Sequence, residues 1–160
     1  MSLIKTDAIQ TLAGKPILNS TGSVLQVVRT YVASSSVIET TSTSFTASGI
    51  TASITPKASG NLILIDCVIS MTDCVSDSLW VKMYQKIGSG SYAVMAGAQD
   101  YQMGIASASR WTACAFSGSY TTTSTDTLIY QPYYRSSGGG NVRLVHDSSS
   151  YGLTLTEIAQ

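Results

Sequence analysis

Charged residues are scarce in this chain of 160 residues. Only 11% of the residues are charged, and nine Lys or Arg balance nine Asp or Glu, whereas roughly 25% is typical of soluble domains. Without net charge there is no field to attract nucleic acid or an anionic membrane, so neither is expected as a partner. A weakly charged surface favours association, and we therefore expect a homo-oligomer.

Long apolar runs and paired cysteines are also missing. No stretch reaches the roughly 18 apolar residues of a membrane-spanning helix, and the start Met-Ser-Leu-Ile-Lys-Thr-Asp does not resemble a signal peptide. Three cysteines cannot form a closed set of disulfides. We expect Cys67 and Cys114 to be small core residues of a chain assembled under reducing conditions.

Alternating polar and apolar residues dominate what is present. The longest apolar run, residues 61–71, follows a Pro/Gly-containing break and predicts a central strand with both faces covered. The pattern gives eight to ten short strands in the chain, and the clearest hairpin joins residues 78–87 to 91–96 through Gly88-Ser-Gly90. Pro132 marks an edge strand or a bulge. The pattern predicts an all-β fold, an antiparallel β-sandwich with a jelly-roll topology.

The first 22 residues differ from the rest. Residues 4–12 fit a short helix or a strand, and Gly14-Lys-Pro16 and Asn19-Ser-Thr-Gly22 interrupt the chain after them. We expect a docking arm at residues 1–22 and a β-sandwich head domain at residues 23–160.

Motifs for catalysis or metal binding are lacking. The single histidine, His146, precedes Asp147, but no Gly-x-Ser-x-Gly elbow accompanies them, and the cysteines lack the paired spacing of a zinc site. Hairpin turns account for the glycines at Gly14, Gly88–Gly90 and Gly138–Gly140, none of which has the pattern of a phosphate-binding loop. We assign no catalytic, cofactor-binding or metal-binding residue. Asp66, inside the apolar run, would need a partner if buried or would face an arginine across a subunit seam.

One cluster is a candidate contact surface. Tyr133, Tyr134 and Arg135 combine aromatic rings with a cation, a combination that stacks on sugar rings and binds their hydroxyls. Packing within or between sheets explains the same residues. Alternation places Tyr134 with Tyr130 on one face and Tyr133 with Arg135 on the other, so both interpretations apply.

Five segments follow one another along the chain: Leu3-Ile-Lys-Thr-Asp-Ala-Ile-Gln10, Val24-Leu-Gln-Val-Val28, the stretch from Ala52 to Ile65, Tyr134-Arg-Ser-Ser-Gly-Gly139-Gly140 and Leu153-Thr-Leu-Thr-Glu-Ile-Ala159. Together and in this order they resemble the small virion structural proteins, of tail fibre or appendage type, of marine tailed bacteriophages. The resemblance implies an N-terminal docking arm, with Ile4, Asp7, Ile9 and Gln10 as candidate docking residues, and a jelly-roll-like head that forms trimers. It brings no catalytic residues.

The leading hypothesis is therefore a phage virion protein, assembled in the host cytoplasm, that docks on other virion proteins and attaches the particle to a host surface glycan or protein. One alternative is a capsid decoration or cement protein, or a head fibre, that stabilises the shell without binding a receptor. Another is a lectin or carbohydrate-active enzyme, for which only Glu39, Glu157 and scattered Asp offer carboxylates. The resemblance is weaker from Gln85 to Thr125, and loops there, including those between Gly97 and Arg110, are candidates for the partner-facing, variable region.

Overall fold

Twelve β-strands make up the described part of the chain. The structure is a computed structural model that describes residues 21–33, 36–74, 77–98, 101–105, 110–146 and 149–160, with the backbone alone for residues 71, 101–105, 110 and 111. The strands are β1 (Val24–Ala33), β2 (Ile38–Thr40), β3 (Thr46–Ala47), β4 (Ala52–Ile54), β5 (Leu62–Cys74), β6 (Ser78–Ile87), β7 (Ala93–Val94), β8 (Tyr101–Ile105), β9 (Arg110–Thr121), β10 (Leu128–Ser136), β11 (Val142–Val145) and β12 (Ser150–Ile158). Within these ranges no helix is long and apolar enough to cross a bilayer.

The strands form two antiparallel sheets of six strands each. In the first sheet the order is β1-β12-β5-β11-β2, and β9 pairs with the other edge of β5. In the second sheet the order is β3-β10-β6-β7, with β4 also paired to β10 and β8 also paired to β6. Each sheet is therefore four rows wide, where a row is one strand position across the sheet. Six strands occupy four rows because short strands lie one after the other in the same row.

The pairings are nested along the chain. The first strand pairs with the last, β4 pairs with β10, β5 pairs with β9, and β6 pairs with β7 and β8. A long hairpin rolled up on itself produces this nesting, and it is the arrangement of a jelly roll. The predicted all-β, jelly-roll-like sandwich is confirmed.

The longest strand, β5, lies inside the first sheet, and buried residues alternate with more exposed ones from Leu62 to Ser70. Ile63, Ile65, Cys67 and Ile69 point into the sandwich and are almost completely buried. Their neighbours on the other face are open, because Val68 is 52% exposed and Asp66 is also exposed. The prediction that both faces of this strand are covered is therefore wrong for the chain alone. Asp66 needs no buried partner.

The core lies between the two sheets. Leu79, Val81 and Met83 of β6 meet the isoleucines of β5, and Leu153 and Leu155 of β12 extend the same layer. Cys67 and Cys114 are buried in it, as predicted, and Cys74 is buried as well. Burial raises the pKa of the Cys114 thiol to about 12, so it is a neutral core side chain at physiological pH.

Pro132 departs from the sequence prediction. It lies in β10, which pairs with β6 along one side, so β10 is not an edge strand. On the other side β3 and β4 pair with residues 133–134 and 128–130, and Pro132 falls in the gap between them. Its carbonyl accepts from Ser48 N at 3.2 Å across that gap. A proline is tolerated here because no ladder donor is required where the neighbouring row is broken.

The segment between β6 and β9 is partly as predicted. The hairpin through Gly88–Gly90 is confirmed, with Tyr84 opposite Val94 and Gln85 opposite Ala93. The stretch expected to be loops between Gly97 and Arg110 contains a strand, β8, which pairs with the start of β6.

Candidate functional site

Aromatic and cationic side chains share the outer face of the second sheet. Strand β6 alternates, so its buried residues face the core and Trp80, Lys82 and Tyr84 face outward. Strand β10 contributes Tyr133, opposite Lys82, and Arg135, opposite Trp80. Further residues reach this face from segments that flank the short strands β3 and β7. We call the set the aromatic–basic patch; its members are Phe45, Trp80, Lys82, Tyr84, Tyr92, Tyr133 and Arg135.

The rings of the patch contact one another in a continuous row. Tyr84 and Tyr133 are stacked, with ring centroids 3.9 Å apart and planes at 19°. Tyr92 lies 6.0 Å from Tyr133, and Phe45 lies 6.4 Å from Tyr84, both tilted. The two tilted pairs have a favoured separation for aromatic rings. The row is therefore a rigid surface of ring edges.

The guanidinium group of Arg135 is held against two of these rings. Its Cζ lies 5.1 Å from the ring centroid of Trp80 and 5.2 Å from that of Phe45, within cation–π range. Its Nη1 donates to two backbone carbonyls, Thr43 O at 3.4 Å and Ser136 O at 3.5 Å. Within the described residues, Nε and Nη2 have no hydrogen-bond partner. The guanidinium group of Arg135 is therefore already held in position, and its Nε and Nη2 donors are available to a ligand.

The tyrosine hydroxyls of the patch are available as well. The hydroxyls of Tyr84, Tyr92 and Tyr133 form no hydrogen bond to any other described residue. Burial and the nearby Tyr133 raise the pKa of Tyr92, so its hydroxyl remains a neutral donor and acceptor at physiological pH.

The second sheet contains no acidic residue. None of its strand residues is Asp or Glu, whereas three of the nine cations of the chain, Lys82, Lys86 and Arg135, lie in β6 and β10. The guanidinium group of Arg135, on a face whose strands carry no carboxylate, favours an anionic ligand.

The three contact residues predicted from the sequence lie on two opposite faces of β10, as the alternation of a strand requires. Tyr133 and Arg135 lie in the patch. Tyr134 is only 4% exposed, and its hydroxyl donates to Glu39 O at 2.8 Å inside the sandwich. The expectation that Tyr134 contributes to a surface contact is therefore corrected, because its position in β10 points it at the core. The candidate docking residues Ile4, Asp7, Ile9 and Gln10 lie outside the described residues.

The sequence alone did not predict most of the patch. Trp80, Lys82 and Tyr84 recur at every second position of β6, and that spacing alone would have placed them on one face. Phe45 and Tyr92 carried no such signal, because they reach the patch only through the pairing of β3 with β10 and of β7 with β6.

The glycine run at Gly138–Gly140 has a role other than the predicted hairpin turn. It connects β10 in the second sheet to β11 in the first, so the turn crosses between sheets. The carboxylate of Asp77 accepts hydrogen bonds from the hydroxyls of Ser136 and Ser137, from Gly138 N at 2.9 Å and from Gly140 N at 2.8 Å. The serine hydroxyl bonds, followed by backbone bonds, hold the pKa of Asp77 well below its usual range. The donors of this turn could bind an anion, and the carboxylate of Asp77 in the same chain already occupies them.

The carboxylates considered for a hydrolase belong to separate networks. Glu39 is exposed and pairs with Arg143 Nε at 2.9 Å. Glu157 is completely buried and accepts from Gln26 Nε2 at 2.5 Å, Asn61 Nδ2 at 2.7 Å and Lys57 N at 2.7 Å. Each of the two carboxylates is bound by hydrogen-bond donors close to it. His146 follows the end of β11, and its Nε2 lies 3.5 Å from Arg143 Nη1. Among the described residues no group of three or more His, Cys, Asp or Glu could hold a metal ion.

Comparison with known proteins yields structural similarity alone. No protein-family model and no curated protein sequence matches the chain. The fold is similar to the CBM22-1 xylan-binding domain of Xyn10C from Paenibacillus barcinonensis, with a TM-score of 0.43 and 14% identity over 88% of this chain and 97% of that one. It is also similar to a chain in the structure of infectious bursal disease virus, Gx strain, with a TM-score of 0.48 and 16% identity over 96% of this chain. The chain spans 36% of the length of that viral protein.

Proposed function

We propose that the protein is a structural subunit of a bacteriophage particle, of tail fibre or appendage type. Residues 1–22 attach it to other virion proteins, and the jelly-roll head contacts the host surface. The role is binding and structural, without catalysis. The observation that carries the proposal is the position of the aromatic–basic patch relative to the start of the head.

The two ends of the head are joined at one place in the first sheet. Gly22 N donates to Ala159 O at 2.7 Å, and Ala159 N donates to Ser23 O at 2.9 Å. The N-terminal segment therefore enters the head at the beginning of β1, an edge strand of the first sheet. The patch lies on the outer face of the other sheet. This layout supports attachment through the first sheet and presentation of the patch away from it.

We further propose that the head forms trimers through the outer face of the first sheet. Val27, Tyr31 and Val68 are more than half exposed on this face. Tyr31 on β1 and Val68 on β5 lie on either side of Gly152 on β12. Two residues further along the strands, Arg29 on β1 and Asp66 on β5 lie on either side of Thr154 on β12. An apolar surface with one cation and one anion suits a second copy of the same chain, because Arg29 of one copy can pair with Asp66 of the next.

The attachment role of the N-terminal segment is tested by deleting residues 1–20 in the phage genome. We expect the truncated head to accumulate in folded form in infected cells and to be missing from purified particles. A particle that incorporates the truncated head as efficiently as the full chain would refute the proposed docking arm. A matched deletion of the surface turn Ser89–Gly90 should leave incorporation unchanged.

A further inference from the structure

We propose that the aromatic–basic patch binds a carboxylated glycan, with Arg135 receiving the carboxylate and the tyrosines contacting the sugar. This inference deepens the proposed host attachment and rests on it. The sequence suggested a sugar-binding role for Tyr133 and Arg135 but did not indicate the charge of the ligand. The contacts of Arg135 in the structure indicate an acidic ligand, and the structure also identifies the residues around this pair.

The acidic character of the ligand follows from Arg135. A guanidinium group has five N–H donors in a planar fork that matches a carboxylate. The carbonyls of Thr43 and Ser136 engage Nη1 only, at 3.4 and 3.5 Å. Trp80 and Phe45 hold the plane of the fork in place, which reduces the entropy lost when a carboxylate binds the two free donor positions.

The sugar character of the ligand follows from the neighbouring tyrosines. Tyr133 lies two residues before Arg135 on the same face of β10, a separation of about 7 Å along the strand, comparable to the length of one hexose unit. Tyr133 and Tyr84 are stacked and present ring edges and two hydroxyls without partners among the described residues. Hydroxyl-rich ligands satisfy such groups, whereas a purely apolar ligand would leave them without hydrogen bonds.

The cations of the patch alone do not specify this ligand. Simple electrostatic attraction would act equally on any polyanion and would depend on all nearby cations. Recognition by Arg135 instead requires one carboxylate beside a sugar ring. Substituting Arg135 should therefore matter much more than removing another surface charge.

The test measures binding of the full-length protein to three carboxylated probes: an oligogalacturonate, an alginate oligosaccharide and sialyllactose. Each is compared with its carboxyl-reduced, neutral counterpart, by isothermal titration calorimetry at physiological salt. We expect at least one acidic probe to bind at least tenfold more tightly than its neutral counterpart. Failure of all three to bind, or equal binding of the neutral form, would overturn the inference.

Two variants locate the site. Arg135→Gln removes the guanidinium group that contacts Trp80 and Phe45 and leaves a neutral polar side chain, so it should weaken binding of the acidic probe at least tenfold. Lys57→Gln removes one exposed charge from the loop between β4 and β5 and should leave affinity unchanged. Equal losses in the two variants would show non-specific attraction and would overturn the inference. Circular dichroism and thermal unfolding establish that each variant is folded. If Arg135→Gln does not fold, Tyr133→Leu takes its place with the same expectation.

Failure of the glycan inference can be distinguished from failure of the proposed virion role. Particle incorporation depends on residues 1–22 and needs no glycan. A protein that enters particles normally and binds none of the acidic probes would refute the glycan inference alone.

Discussion

Asp77 connects the two sheets through a single carboxylate. It precedes β6 in the second sheet and receives hydrogen bonds from the turn that leads into β11 in the first sheet. Because the turn contains Gly138, Gly139 and Gly140, its backbone N–H groups can converge on the carboxylate; Gly139 has a φ of 91°, a conformation that favours glycine. Asp77 therefore determines the shape of this crossover.

Replacing Asp77 with Asn should destabilise the head. The substitution places an amide NH2 group where backbone N–H groups already point, so at least one donor loses its acceptor. We expect a loss of about 2–3 kcal/mol in the free energy of unfolding at neutral pH, measured by urea denaturation. Asp126→Asn, at an exposed turn, is the control and should change stability by less than about 1 kcal/mol. A loss in Asp77→Asn no greater than in the control would contradict this role.

Glu157 makes stability depend on pH. Burial raises its pKa, but the hydrogen bonds from Asn61, Gln26 and the Lys57 amide outweigh burial, so the pKa is lowered overall. A carboxyl whose pKa is lower in the folded state stabilises fully above its unfolded-state pKa of about 4.3. That contribution is lost as the pH falls through the folded-state pKa.

We therefore expect the stability of the wild type to decrease below about pH 5, where unfolded-state carboxyls begin to take up protons. In Glu157→Gln this decrease should be shallower, because one titrating group has been removed. Thermal unfolding followed from pH 7 to pH 3 measures both slopes. Identical slopes in the wild type and in Glu157→Gln would contradict the account of Glu157.

At the scale of the elements, β5 shows how a sequence pattern determines faces. Ile69 is completely buried in the core, whereas Val94 of β7 is 46% exposed. Truncating Ile69 to Ala leaves a cavity between the sheets and should cost about 2–4 kcal/mol. Val94→Ala, the control, should cost less than about 1 kcal/mol. Chemical denaturation of the two variants measures the difference, and similar losses in both would contradict the assigned orientation of β5.

Alternation along individual strands predicted the fold class and the separation of Tyr134 from Tyr133. It did not predict features created by pairing between distant segments. Asp77 and Gly138 are 61 positions apart, and nothing in either local pattern brings them together. Strand β8 is five residues long and contains Gly104, which weakens a strand, and it pairs with the edge of β6. Pro132 is compatible with a central strand only because β3 and β4 leave a gap beside it.

At the scale of the whole molecule, the two outer faces of the sandwich have different characters. The first sheet presents Val27, Tyr31 and Val68 to solvent, and the second presents the aromatic–basic patch. The proposed trimer covers the former and leaves the latter open. In the proposed function, the first face joins the subunits and the second binds the host ligand.

The proposed trimer makes a specific prediction for the mass in solution. Light scattering should give three times the chain mass of 16.8 kDa. Val68→Arg introduces a charge at the centre of the proposed seam and should reduce the mass to that of one chain while the β-sheet circular dichroism is retained. Val94→Arg adds the same charge to the second sheet and should leave the mass unchanged. A wild-type mass of one chain would contradict trimerisation.

The most direct test of the proposed function is immunogold labelling of intact phage particles with an antibody raised against residues 23–160. The tail-fibre or appendage role predicts gold at the tail end of the particle. Gold distributed over the capsid shell would contradict that role and would instead support a decoration protein. Particles without gold would contradict a place in the virion altogether.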